Sequence, residues 1–222
     1  MYSDKYDIVI GVDPGLTGAI CVFEELDGVP KIYDMPTKKI PNPNKKVKSK
    51  FKKIPDIEEL SLIFKEYEDK NVLVCIEKVH SMKQQGNVSM FNFGFGYGIY
   101  LGIIVSMGFD LVEVSPQRWK KSFPELISDE IKEYKEENKK LREISKKLKD
   151  ATEKSDNKKK IDKNNLLVKK EAKMMSRKIV AEMYPSIKDM FKNVCHDGRS
   201  DAVLICLYSV KEYCKGDINE KD

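Results

Sequence analysis

Residues 6–24 read YDIVIGVDPGLTGAICVFE, and this stretch decides the fold. Residues 6–12 are a short apolar run that stops at Asp13-Pro14-Gly15, the pattern of a buried strand. Residues 18–24 make a second strand, with Gly15-Leu16-Thr17-Gly18 as the turn between them. Asp27-Gly28 is a hairpin signal, and Lys31 to Met35 supply a third, shorter strand. Three consecutive short strands joined by tight turns predict an antiparallel meander.

Beyond the meander lies a Lys-rich segment in which Pro36, Pro41, Pro43 and Pro55 are expected to prevent regular structure. Residues 56–69 (DIEELSLIFKEYED) then place apolar side chains at 57, 60, 63, 64 and 67, a helical stripe with Asp56 as its N-cap. Residues 71–76 (NVLVCI) form a β run ending at Glu77. A polar loop at 81–88 leads into a long apolar helix at about 89–107, and a fifth strand at 110–114 is stopped by Ser115-Pro116. From there the pattern is helical only. Residues 128–150 are Lys/Glu-rich with sparse apolar positions at 131, 134, 141, 144 and 148, which predicts a solvated helix with a thin seam. Residues 151–164 are low in complexity and expected to be mobile, and further helices are expected at 166–184 and 200–214. This order predicts an α/β fold: a five-stranded mixed sheet, made of the three-strand meander and two parallel strands, flanked by helices. The expected organisation is one domain, 1–222, with a Lys-rich loop at 37–55 and a charged helical insertion at about 125–168.

The chain carries 41 Lys+Arg against 36 Asp+Glu, unevenly spread. Residues 37–53 hold eight Lys and no acid, and residues 128–170 hold 15 basic and 10 acidic groups. The remainder therefore keeps 18 basic against 26 acidic groups, a net of −8. An acidic body with two basic attachments excludes a uniformly basic coat of the histone-like kind. Five cysteines, three of them inside apolar runs, read as small core residues of a reducing compartment. With no CxxC and only His80 and His196, the chain lacks the usual zinc ligand sets. Asp4 and Asp7 do not fit a signal peptide, and residues 90–108, with Asn92 and five glycines, read as a buried helix rather than a membrane span. The expected location is the cytoplasm.

Three places end or begin an apolar element with an acid. Asp13 ends the first strand, Glu77 ends the fourth, and Asp197 and Asp201 open the last helix in His196-Asp197-Gly198-Arg199-Ser200-Asp201. A spacing of four puts the last two acids on one helical face, a turn apart. Converging carboxylates repel one another unless a divalent cation compensates them. Hard oxygen ligands without His or Cys favour Mg²⁺ or Mn²⁺, and two such ions are the usual apparatus for hydrolysing a phosphodiester.

These residues, taken in order, resemble the RuvC family of the RNase H-like superfamily, especially its bacteriophage and prophage branch. The stretches that carry the resemblance are Gly11-Val12-Asp13-Pro14-Gly15 with Thr17-Gly18-Ala19, Ile76-Glu77-Lys78-Val79-His80, and Phe91-Asn92-Phe93-Gly94 through Gly98. Val114-Ser115-Pro116-Gln117-Arg118-Trp119-Lys120 and Asp197-Gly198-Arg199-Ser200-Asp201-Ala202 complete it. The resemblance implies an RNase H-like fold and a homodimeric, Mg²⁺-dependent endonuclease that resolves Holliday junctions by symmetric nicks in DNA recombination and repair. It implies Asp13, Glu77 and Asp201 as metal ligands, with Asp197 as the fourth. In some members the preceding acid lies three rather than four residues before the last Asp, which leaves Asp197 and His196 as alternatives for that place.

The resemblance also puts His80 where the family inserts an aromatic residue into the junction. Lys83, Gln84 and Gln85 beside it are donors suited to phosphate, as are Arg118, Lys120 and Lys121 after the fifth strand. Lys45, Lys46 and Lys48 belong to the Lys-rich arm, which is expected to neutralise phosphates. Trp119 reads as a packing anchor. Gly94, Gly98 and Gly102 make one bare helical face, suited to close packing on the sheet or on a partner helix. Two other functions stand beside the nuclease: a scaffold of the same fold that binds branched DNA without cutting it, and an actin-like or kinase-like ATPase. The second rests only on the Asp13–Gly18 turn, and the chain lacks the length for two such lobes.

Overall fold

A computed structural model describes residues 5–25, 28–42, 49–79 and 86–214 of the chain. These described residues form two compact units, one from those up to residue 122 together with 195–214 and the other from residues 123–194.

The first unit is built on β1 (Ile8–Asp13), β2 (Ala19–Phe23) and β3 (Lys31–Asp34), the expected meander. After β4 (Thr37–Pro41), β5 (Phe51–Pro55) and α1 (Ile57–Lys65) comes β6 (Val72–Glu77), which pairs parallel to β1. Next, α2 (Asn87–Ser106) leads to β7 (Asp110–Val114), parallel to β6. The sheet order β3-β2-β1-β6-β7 is the five-stranded mixed sheet of the RNase H-like expectation. Strands β1 and β6 are buried on both faces, which is why their sequences run almost continuously apolar instead of alternating. Ile8, Ile10 and Val12 of β1 and Val72, Val74 and Ile76 of β6 join the cluster formed with Leu60 and Phe64 of α1 and Tyr100 and Ile104 of α2. The intervening residues, Val9 and Gly11, face α6 (Asp197–Ser209), where the Cys206 thiol donates to the Val9 carbonyl at 3.2 Å. A short helix, α3 (Pro116–Lys121), follows β7 and starts on Ser115, whose hydroxyl accepts from the Arg118 amide at 3.3 Å.

The described parts of the Lys-rich segment, 37–42 and 49–55, are not irregular, as its prolines implied. Strands β4 and β5 pair as a separate antiparallel ribbon, with Lys38 opposite Ile54, Lys39 opposite Lys53 and Ile40 opposite Lys52. Pro41 and Pro55 each close a strand, so the missing amides fall where the ladder ends. The Asp56 amide donating to the Pro36 carbonyl at 2.9 Å ties the ribbon's base. Asp56 holds the N-cap position of α1 but makes no side-chain cap bond; its carboxylate pairs with Lys38 at 3.5 Å.

The second unit is helical. Helix α4 (Asp129–Lys147) starts on Ser128, and α5 (Ala151–Met183) starts on Asp150, whose carboxylate accepts from the Thr152 and Glu153 amides. Residues 151–164, expected to be mobile, are the first turns of that 33-residue helix. Polar rungs hold them against α4: Asn157 to Ser145 at 3.1 Å, Asn164 to Glu137 at 2.9 Å and Asn138 to Asn165 at 3.1 Å. The residue sums of these rungs are nearly constant, so the two helices run antiparallel. Among the described residues, no helix is long and apolar enough to cross a membrane.

Candidate active site

The site belongs wholly to the first unit. Parallel pairing of β1 and β6 puts Val12 opposite Ile76, so Asp13 and Glu77 follow side by side at the same end of adjacent strands. Strand alternation sends both toward the α6 face of the sheet, with Gly11 and Cys75 two residues before them. Helix α6 delivers the other two acids. It begins at Asp197, so Asp197 and Asp201 stand one turn apart on the same face, as their spacing predicted.

Two glycines fix how closely α6 approaches. A Cβ on Gly11 would stand 2.4 Å from the Ala202 carbonyl oxygen and 2.5 Å from the Cys206 nitrogen, so strand and helix meet backbone to backbone. A Cβ on Gly198 would stand 2.4 Å from the Thr17 carbonyl oxygen and 2.6 Å from Gly18 Cα. The first turn of α6 therefore rests on the turn that follows Asp13. From its other side, Arg199 makes a two-pronged pair with Asp34 at the end of β3, Nε to Oδ1 and Nη2 to Oδ2 both at 2.6 Å. The guanidinium beside Asp34 holds that carboxyl below its usual range, and His196 acts in the same direction.

Glu77 is half-buried, and burial raises its pKa above the ordinary carboxylate value. The negative charge of Asp201 pushes the same way, while Trp119 and Lys120 pull it back. The Trp119 indole N–H donates to Glu77 Oε2 at 2.7 Å from a fully buried ring. Asp13 Oδ1 accepts from the Gly15 amide at 3.4 Å. Tyr100 of α2 is buried with its hydroxyl unpartnered among the described residues; burial lifts its pKa to about 12, helped by the Asp13 charge.

The four acids thus share one end of one sheet. Among the described residues, however, no three His, Cys, Asp or Glu side chains stand close enough together to hold a metal ion. Glu77 is turned to Trp119 and Asp13 to the backbone of its own turn. The four acids nevertheless offer only carboxylate oxygens, hard donors that suit a hard divalent cation and not a soft or nitrogen-seeking ion.

Of the expected DNA-contacting residues, Arg118, Lys120 and Lys121 are exposed on α3, beside the Glu77 end of the sheet. Lys120 Nζ lies 4.9 Å from the centre of the Trp119 ring. His80, Lys83, Gln84, Gln85, Lys45, Lys46 and Lys48 lie outside the described residues. Two participants were not foreseen. Trp119 was read as packing alone, and nothing in the sequence marks its bond to Glu77 across 42 positions. Asp34 carries a signal that could have found it, since it ends a strand with an acid as Asp13 does.

No family model and no curated protein matches the chain. Among solved structures it is similar to Thermus thermophilus RuvC in complex with a Holliday junction substrate, at 12% identity and a TM-score of 0.44, over 92% of this chain and 94% of that one. It is also similar to a second Thermus thermophilus RuvC structure, at 12% identity and a TM-score of 0.29, over 51% of this chain and 67% of that one.

Proposed function

We propose that this chain is a structure-selective DNA endonuclease that resolves Holliday junctions or other branched DNA by hydrolysing phosphodiesters, with symmetric nicks from a homodimer. The support that carries most weight is the ending of β1 and β6 and the start of α6 in four carboxylates at one end of the sheet, with cationic α3 beside them. Asp13, Glu77, Asp197 and Asp201 would hold Mg²⁺, or Mn²⁺, with two ions per site. Bound there, the ions would activate water and stabilise the leaving oxygen. The chain's own residues orient and bind. Trp119 fixes one oxygen of Glu77, and the Asp34–Arg199 pair and Gly198 fix the first turn of α6. Arg118, Lys120 and Lys121, exposed on α3, would engage backbone phosphates, which position DNA without reading its sequence.

The homodimer draws support from α2. Its buried stripe is Gly96, Tyr100 and Ile104, and on the opposite side Phe91, Phe95, Gly98, Gly102 and Val105 are exposed. Apart from the neighbouring backbone of α2 itself, nothing described lies within 4 Å of a Cβ built on Gly94, Gly98 or Gly102, so this face does not pack on the sheet. Phe91 and Phe95 stack on it at 6.3 Å. A long apolar face with small residues at its centre suits a second copy of the same helix.

The alternative reading is a non-cleaving scaffold for branched DNA built on the same fold. A single experiment separates the two. With Mg²⁺ and a synthetic four-way junction, the wild type nicks and Asp13→Asn binds without nicking. A wild type that binds but never nicks leaves the scaffold; full cutting by Asp13→Asn refutes the assigned mechanism.

A further inference from the structure

The hairpin of α4 and α5 carries a charge division that its composition conceals. Its first ten residues, 128–137, hold five acids and two lysines. Residues 138–160, which form the closed end, hold ten basic and four acidic residues. Two of those four acids are engaged: Asp150 accepts from the first amides of α5, and Asp156 pairs with Lys159 at 3.0 Å.

Near this end the two helices leave a cleft of about 430 Å³ lined by Arg142, Ser145, Lys146, Lys154, Lys158 and Ile161. Its walls are two pairs of cations four residues apart, Arg142 and Lys146 on α4 and Lys154 and Lys158 on α5. Members of each pair are about 6 Å apart along their helix. Ser145 and Ile161 are half-buried on the floor, where Asn157 donates to the Ser145 hydroxyl at 3.1 Å. All four cations are exposed, and none of them pairs with a carboxylate among the described residues. Lys132 and Lys159, on the same helices, do pair, each with an acid three residues away. Four positive charges without an ion-pair partner around one open cleft repel each other and attract a polyanion. No aromatic ring lines the cleft to stack on a base, and only Ser145 offers a neutral polar group.

We infer that the cleft between α4 and α5, walled by Arg142, Lys146, Lys154 and Lys158, binds the phosphodiester backbone of a DNA arm without regard to sequence. The inference rests on branched DNA being the substrate, and it assigns the hairpin the task of holding an arm of it. Each cation that neutralises a phosphate releases counterions, and the slope of log affinity against log salt steepens by about 0.9 per contact on duplex DNA.

The test compares the full-length wild type with the quadruple variant R142Q/K146Q/K154Q/K158Q. Binding to a labelled four-way junction and to plain duplex is followed from 50 to 200 mM KCl. Four lost contacts flatten the slope by about 3.6, so the variant's affinity falls about 150-fold less over that range than the wild type's. Gln is a good helix former, and unchanged circular dichroism checks the hairpin. The charge-preserving variant R142K/K146R/K154R/K158R keeps the wild-type slope. A Gln variant with the wild-type slope overturns the inference, as does selective, cleft-dependent capture of polyglutamate in place of DNA. Mg²⁺-dependent nicking is scored separately. A wild type that binds but does not nick refutes the endonuclease and leaves the cleft to be judged by its slope; one that binds no DNA refutes both.

Discussion

Gly198→Ala puts a methyl group into the tightest junction of the site. The new Cβ would lie 2.4 Å from the Thr17 carbonyl oxygen, 2.6 Å from Gly18 Cα and 2.8 Å from the Gly18 carbonyl carbon. Ordinary contact begins near 3.4 Å, so α6 or the turn must move by about 1 Å. All three neighbours are backbone, and no side chain can swing aside to make room. Overpacking of this kind costs roughly 1–3 kcal/mol, while replacing a helical Gly by Ala returns at most about 1 kcal/mol. The expected net loss is about 1–2 kcal/mol, which lowers the melting midpoint by about 2–8 °C in a chain of this size. The effect on chemistry should be larger, because Asp197 and Asp201 move with the helix. A displacement of about 1 Å at a reacting centre costs on the order of 100-fold in rate. Thermal denaturation and Mg²⁺-dependent nicking of a four-way junction, measured well below the midpoint, read the two effects apart. A variant that melts at or above the wild type and nicks at the same rate would refute the close seating of α6 on the Asp13 turn.

Gly11→Ala meets the same helix from the strand side, with no gain in helix propensity, and its melting midpoint should fall further than that of Gly198→Ala. Trp119→Phe keeps most of the ring and removes the donor to Glu77; denaturant unfolding at pH 7 should show a loss of about 1.5–3 kcal/mol, and nicking should slow. Arg199→Gln should remove a pH dependence. Asp34 is held below its ordinary pKa by Arg199, so the pair stabilises the fold at neutral pH and that contribution fades as pH falls through the lowered value. Asp34 is 65% exposed at its side chain, so the difference between wild type and variant should stay near 1 kcal/mol at pH 7 and shrink toward pH 2 in urea titrations. Phe95→Glu places a charge on the outward face of α2 and should convert a dimer to a monomer in sedimentation; an unchanged mass would refute that interface.

The central strands were legible because β1, β2 and β6 are buried on both faces and say so in unbroken apolar runs. The positions of the candidate acids were legible for a related reason: Asp13 and Glu77 each close such a run at a strand's end, and Asp197 opens α6 with Asp201 one turn further on. The β4–β5 ribbon was hidden because only Ile40 and Ile54 among its interior pairs are apolar, and Lys39 facing Lys53 erases the alternation that marks a strand. Residues 151–164 were hidden because amide and hydroxyl rungs, Asn157 to Ser145 and Asn164 to Glu137, do the joining that an apolar stripe does elsewhere. The Asp34–Arg199 pair spans 165 positions, and local pattern carries no information over that distance.

Trp119 is the only tryptophan in the chain, and its indole nitrogen touches a carboxylate of the candidate active site. Its ultraviolet emission is therefore a built-in optical probe of that one carboxylate, free of background from any other indole. A cation that draws Glu77 away from the ring, or a proton that neutralises it, changes the field on the excited indole and shifts its spectrum. Titrating Mg²⁺ into the unlabelled protein while recording that emission makes the chain report on its own chemistry in real time, before any DNA is added.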